Sequence, residues 1–164
     1  MNTPKILKII RLHIVLGGFL AFLVGALLAL TGNATFVLSK FILGYFVVFL
    51  ADLSTHYGND YFDVEVDKHT ITKKFFSGRN ILVYNPNLRI LSKSISIGLL
   101  LVSNFLAIMS VIFVGLSIEF FIIIFSASLI GWFYSAPPIR LVSRGLGEIA
   151  FLMSKLIEKV IRTI

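Results

Sequence analysis

Four long apolar runs, at residues 12–31, 36–55, 95–117 and 120–134, leave this chain few ways to fold. A helix needs roughly 20 residues to cross a hydrocarbon core, and each run approaches that length; the fourth is the shortest, bracketed by Glu119 and by Ser135-Ala136-Pro137-Pro138. Barrel strands would show as short alternating segments, and none are present, so helices are the expected spanning element. The first run is preceded by Lys5, Lys8 and Arg11 and followed by Gly32-Asn33-Ala34, which invites comparison with a cleaved signal peptide. It is longer than the roughly 7–15 apolar residues of a signal-peptide core, and a transmembrane helix is the better expectation. The expected fold class is an all-α integral membrane protein with four transmembrane helices and a short C-terminal helix.

Charge fixes the expected topology. Lys5, Lys8 and Arg11 precede the first run. Lys68, Lys73, Lys74, Arg79, Arg89 and Lys93 lie between the second and third, and Arg140, Arg144, Lys155, Lys159 and Arg162 follow the fourth. These three groups fall on one side of a bilayer, and the preference of Lys and Arg for cytoplasmic loops places that side in the cytoplasm. Residues 68–93 and 135–147 are then cytoplasmic loops, and the protein is a multi-pass protein of the cell (plasma) membrane. Lys40 alone falls on the far side, where its long stem can carry the ammonium out to water. The net charge of +7 would suggest nucleic acid in a soluble chain, but basic residues set between apolar blocks point to topology and an anionic ligand instead. The chain contains no cysteine, which excludes disulfides and thiolate chemistry.

The chemistry-bearing residues gather where the second run ends: Asp52, His56, Asn59, Asp60, Asp63 and Asp67. If the helix continues through them, at 100° per residue they fall at about 0, 40, −20, 80, 20 and 60°, inside an arc of about 100°. Leu53, Tyr57, Tyr61 and Val64 fall outside it, and Glu65 lies near 220°. Carboxylates crowded on one face of a membrane helix repel one another and are costly to desolvate, so a cation belongs against them. Oxygen donors of this kind suit Mg²⁺, which keeps several waters and takes further ligands from substrate phosphates. The bland alternative is a solvated acidic helix end, and a proton or ion pathway is another. His56 is open to three roles, as a ligand, a proton carrier or a hydrogen-bond partner for Asp52 one turn earlier, the last being preferred.

A phosphate ligand also needs cationic donors. Lys68, Lys73, Lys74 and Arg79 follow the acidic face directly, and Arg140 and Arg144 come from the loop after the fourth run. Two distant loops on one membrane side can then close over one anion. Pro137-Pro138 cannot continue a helix and should end the fourth span in a defined turn. Trp132 and Tyr134 are expected at the membrane interface, where aromatic residues collect, with stabilisation of an allylic cation as a second possibility.

The segment Asn59-Asp60-Tyr61-Phe62-Asp63-Val64-Glu65-Val66-Asp67 reads N-D-x-x-D-x-x-x-D. It resembles the first aspartate-rich motif of the UbiA superfamily of intramembrane prenyltransferases. Tyr134-Ser135-Ala136-Pro137-Pro138-Ile139-Arg140-Leu141 and Arg144-Gly145-Leu146-Gly147-Glu148 are similar to the stretch after that family's fourth helix. Together with Phe76-Ser77-Gly78-Arg79 they look most like the 1,4-dihydroxy-2-naphthoate polyprenyltransferase branch, over the chain up to about Phe151. The resemblance implies a nine-helix bundle around a central cavity, of which residues 1–164 would form a single truncated domain holding about half. It implies Mg²⁺-dependent transfer of a polyprenyl or geranylgeranyl group from its diphosphate to an aromatic or lipid acceptor, as in quinone (menaquinone) biosynthesis. Asp60, Asp63 and Asp67 would be the catalytic carboxylates. With Asn59 they would hold the metal, and Asn59, Lys73, Arg79, Tyr134, Arg140 and Arg144 would bind substrate.

The chain departs from that pattern in two respects. The family's second aspartate-rich motif does not occur, and residues 148–164 carry Lys155, Glu158, Lys159 and Arg162 at helical spacing, resembling an interfacial helix more than a fifth span. An incomplete enzyme is the expectation. The competing functions are a small ion- or proton-coupled transporter using Asp52, His56 and Asp63, and a non-catalytic membrane protein that binds lipid diphosphates. Membrane lipids are expected partners in every case, and nucleic acid in none.

Overall fold

The computed structural model describes residues 12–64 and 82–144, with side chains over 16–64 and 82–142. Among the described residues there are four α-helices, α1 (Leu12–Thr31), α2 (Leu38–Phe62), α3 (Pro86–Val114) and α4 (Ile118–Ser135), then a short 3-10 turn at Leu141–Arg144. No strand occurs among the described residues. Three helices, α2, α3 and α4, are long and apolar enough to cross a membrane, while the apolar stretch Leu16–Thr31 of α1 is shorter. The expected amphipathic helix at 148–164 lies outside the described residues.

Each helix ends where local chemistry stops it. Asn33 takes up the left-handed conformation (φ 64°), and the Gly32 and Ala34 amides donate back to Leu28 and Ala29 carbonyls, closing α1. Gly115 does the same for α3 at φ 68°, with the Leu116 amide donating to the Ser110 carbonyl. Ser117 accepts from the Phe120 amide and caps α4 at its start. Pro86 opens α3, where a missing amide hydrogen costs nothing.

The helices are longer than hydropathy alone indicates. The second span, expected to stop at residue 55, runs on through Phe62, and the third begins at Pro86, so residues 86–93 of the expected loop 68–93 are helical. Apolarity marks only what lies in hydrocarbon, whereas backbone hydrogen bonding continues into the polar zone until a capping residue or proline intervenes.

α2 is the central element and packs on α1, α3 and α4, while α3 and α4 also meet. Its seam with α3 is built from small residues. Ser92, Ser96, Ser103, Ala107 and Ser110 are the buried positions of α3, at three- and four-residue spacings within each group, which lets two backbones approach closely. Three of them donate across the seam: Ser92 Oγ to the Tyr57 carbonyl at 3.0 Å, Ser96 Oγ to that of Ser54 at 2.7 Å, and Ser103 Oγ to that of Val47 at 2.9 Å. Two apolar clusters flank this ladder, Val47, Ala107 and Ile124 toward one end and Tyr57, Val64 and Leu82 toward the other.

Lys40 does not simply extend outward to water as expected. Its ammonium donates to the Gly115 carbonyl at 2.9 Å, pinning the start of α2 to the end of α3 and complementing the negative end of that helix. The two helices are therefore antiparallel. Phe62 and Trp132 meet at the opposite end, their ring centroids 5.5 Å apart, so α2 and α4 finish together.

Candidate functional site

The last turns of α2 carry the polar residues singled out by the sequence, and packing divides them into two sets. Tyr57, Asp60 and Val64 recur at helical spacing and are buried, Asp60 with 3% of its surface exposed. Val64 packs with Tyr57 and Leu82, which places this set on the side turned to the start of α3. Asp52, His56, Asn59 and Asp63 are only half-buried. Asp52 Oδ2 lies 3.4 Å from where a β-carbon on Gly18 would sit, so Asp52 borders α1. The single arc expected from helix geometry is thus two faces, with Asp60 turned into the bundle at its edge.

Asp52 and His56 are the pair that the sequence indicates. His56 Nε2 is 3.3 Å from Asp52 Oδ1, and the alignment falls short of a hydrogen bond, so the contact is electrostatic. Asp63 caps α2, its amide donating to the Asn59 carbonyl at 2.9 Å. Asn59 and Asp63 therefore share one face, with Asp60 about 100° from Asn59 and about 60° from Asp63. Among the described residues, no group of three or more His, Cys, Asp or Glu is gathered as a metal site. Asp67, Lys73 and Arg79 lie outside the described residues, as does the side chain of Arg144.

The fourth helix closes this end as the Pro-Pro signal predicts. α4 stops at Ser135, the Pro137-Pro138 bond is cis, and the Arg140 amide donates to the Ala136 carbonyl at 3.0 Å. Arg140 sits at positive φ (43°), and its Nε donates to the Ser135 carbonyl at 3.4 Å. Because Phe62 touches Trp132, this turn and the acidic end of α2 occupy the same end of the bundle. Tyr134 is half-buried there. Trp132 packs edge-on against Phe62 and lies 3.8 Å from the β-carbon position of Gly58.

The sequence reading treated Arg89 and Lys93 only as loop charges. On α3 they are one turn apart, and both stand over the Tyr61 ring, at 5.0 and 5.3 Å from its centroid. Pro86 followed by an i, i+4 basic pair was the available signal, obscured by treating residues up to 93 as loop.

Comparison with known proteins adds no relative. No protein-family model, curated protein or solved structure matches the chain.

Proposed function

We propose that this chain is an intramembrane prenyltransferase of the UbiA type, binding an isoprenoid diphosphate at the α2 end that carries Asn59, Asp60 and Asp63. In this reading α1 is a fourth crossing. The chain resides in the cell membrane, with the acidic end and the basic loops on the cytoplasmic side, as the distribution of Lys and Arg favours.

One observation carries the reading: the end of α2 that bears Asn59, Asp60 and Asp63 is also the end at which the Arg140 turn emerges, beside the Phe62–Trp132 contact. Carboxylates alone would repel a diphosphate, and basic groups alone would not explain a buried Asp60. Both on one end suit a ligand that arrives with a divalent ion. The donor set fits Mg²⁺, which takes one or two carboxylates and leaves its other positions to water and phosphate. Asn59, Asp60, Asp63 and Asp67 would hold it, and when bound it supplies charge neutralisation for a departing diphosphate. Arg140, with Lys73, Arg79 and Arg144 from the two loops, donates to phosphate oxygens whose charge grows as the bond breaks. Half-buried Tyr134 borders the same ligand. The apolar bundle keeps water from the allylic carbon and admits a long isoprenoid tail from the lipid. The acceptor is an aromatic quinone precursor, as the resemblance implies.

Titration calorimetry of geranylgeranyl diphosphate into the full chain in detergent tests this. Binding that requires Mg²⁺ and weakens at least tenfold in Asp63→Ala is expected. Absence of binding, or binding indifferent to both Mg²⁺ and Asp63, overturns the proposal.

A further inference from the structure

The Asp52–His56 pair has no part in holding the diphosphate, yet it lies on the same face of α2 as Asn59 and Asp63, deeper in the span. At 1.5 Å per residue His56 is about 4.5 Å inward of Asn59 and about 10 Å inward of Asp63. A diphosphate held by Asn59 and Asp63, with its tail in the bundle, directs its first carbon toward the level of His56. We propose that His56, oriented by Asp52, accepts the hydroxyl proton of a phenolic acceptor substrate. The inference rests on the prenyltransferase reading and adds the residue that activates the second substrate.

The geometry favours this over a packing role. An ionisable pair inside an apolar span is costly to retain and marks function by default. Asp52 Oδ1 lies 3.3 Å from His56 Nε2, short of hydrogen-bond alignment; with Nε2–H turned to the carboxylate once substrate binds, the Nδ1 lone pair is the proton acceptor. The imidazole keeps 18% of its side chain exposed, and pairs of this kind tighten only when substrate is bound. In the proposed step the phenol O–H bond breaks, its electron pair stays on oxygen, and the proton forms an N–H bond at Nδ1. The imidazolium is then balanced by the Asp52 carboxylate. The resulting phenolate is the stronger nucleophile toward the allylic carbon.

Gly18 supports the arrangement from α1, because any side chain there meets the Asp52 carboxylate, the β-carbon position being 3.4 Å from Oδ2. The described side chains of α1, from Leu16 to Thr31, include no charged or titratable group. The titratable and charged side chains described at this end of the bundle include Tyr57, Asp60 and Tyr61 on α2, Asp63 at its cap, Arg89 and Lys93 on α3, Tyr134 on α4 and Arg140 in the turn after it. Arg89 and Lys93 stand over Tyr61.

The test uses the full chain in nanodiscs with 1,4-dihydroxy-2-naphthoate as probe. Ionisation is read from the absorbance shift of the bound naphthol, and 1,4-dimethoxynaphthalene, which has no proton to give, is the control. Expected is binding of the ionised form, weakened at least tenfold in His56→Gln and to a lesser degree in Asp52→Asn. The dimethoxy analogue should show no dependence on His56. Retained geranylgeranyl diphosphate binding in both variants shows that they fold. A naphthol that does not bind, binds without ionising, or binds His56→Gln unchanged overturns the inference. If the naphthol result fails while diphosphate binding persists, only the role of His56 falls. If diphosphate binding is itself absent from the unmodified chain, the prenyltransferase reading falls with it.

Discussion

Ser54 on α2 and Ser96 on α3 bond to each other's backbone: each hydroxyl donates to the other residue's carbonyl, at 2.9 Å from Ser54 and 2.7 Å from Ser96. The pair is fully buried and lies between the serines that bond Tyr57 and Val47, so it ties the two helices within the same seam.

Removal of both hydroxyls should weaken the seam additively. Interhelical hydrogen bonds in membranes average about 0.6 kcal/mol each, and both acceptors are backbone carbonyls that alanine keeps, so Ser54→Ala with Ser96→Ala should cost about 1 kcal/mol in total. Reversible unfolding in mixed micelles measures it. Ser96→Leu should cost more, because it separates the backbones as well as removing the bond.

The contact between α2 and α4 depends on a missing side chain. A β-carbon on Gly131 would lie 3.1 Å from Thr55 Cγ2 and 3.3 Å from Thr55 Cβ. Gly131→Ala should therefore destabilise by about 1–3 kcal/mol, the usual range for overpacking. The same substitution combined with Thr55→Ala should recover most of that loss in the unfolding assay.

Tyr61 holds two cations by its ring face. Tyr61→Phe keeps that face and should leave stability nearly unchanged, whereas Tyr61→Leu should cost about 1–2 kcal/mol at two partly exposed contacts. The comparison of the two variants by thermal unfolding isolates the ring from its hydroxyl.

Lys40 offers a control at the opposite end of the bundle. Lys40→Met removes the donor to the Gly115 carbonyl and should lower stability by about 1 kcal/mol, as for a charge-assisted bond at a helix C-terminus. Calorimetry should find geranylgeranyl diphosphate binding by this variant equal to that of the unmodified chain.

Helix punctuation within the described residues was legible because it follows from local composition. The four apolar runs, the Gly32-Asn33 break and the Pro-Pro stop each correspond to an observed boundary. The Asp52–His56 pairing was equally legible, since residues one turn apart on a helix meet whatever the tertiary context. The partners of Lys40 and Trp132 were not legible because each lies far along the chain, Gly115 in one case and Phe62 in the other. The serine stripe of α3 escaped notice because serine in an apolar run looks neutral until a neighbouring backbone supplies its acceptor.

By itself the sequence determined that this chain forms apolar helices and which polar residues share one stretch of α2, because both depend on hydrophobic length and a fixed turn angle. Only the tertiary structure decided that Asp60 turns inward while Asp52, His56, Asn59 and Asp63 stay half-buried, with Asp52 beside α1. It also brought the Arg140 turn to their end of the bundle. Those outcomes depend on which helix faces pack together, and that was settled by small residues that let backbones approach and by hydroxyls that reach carbonyls on another helix.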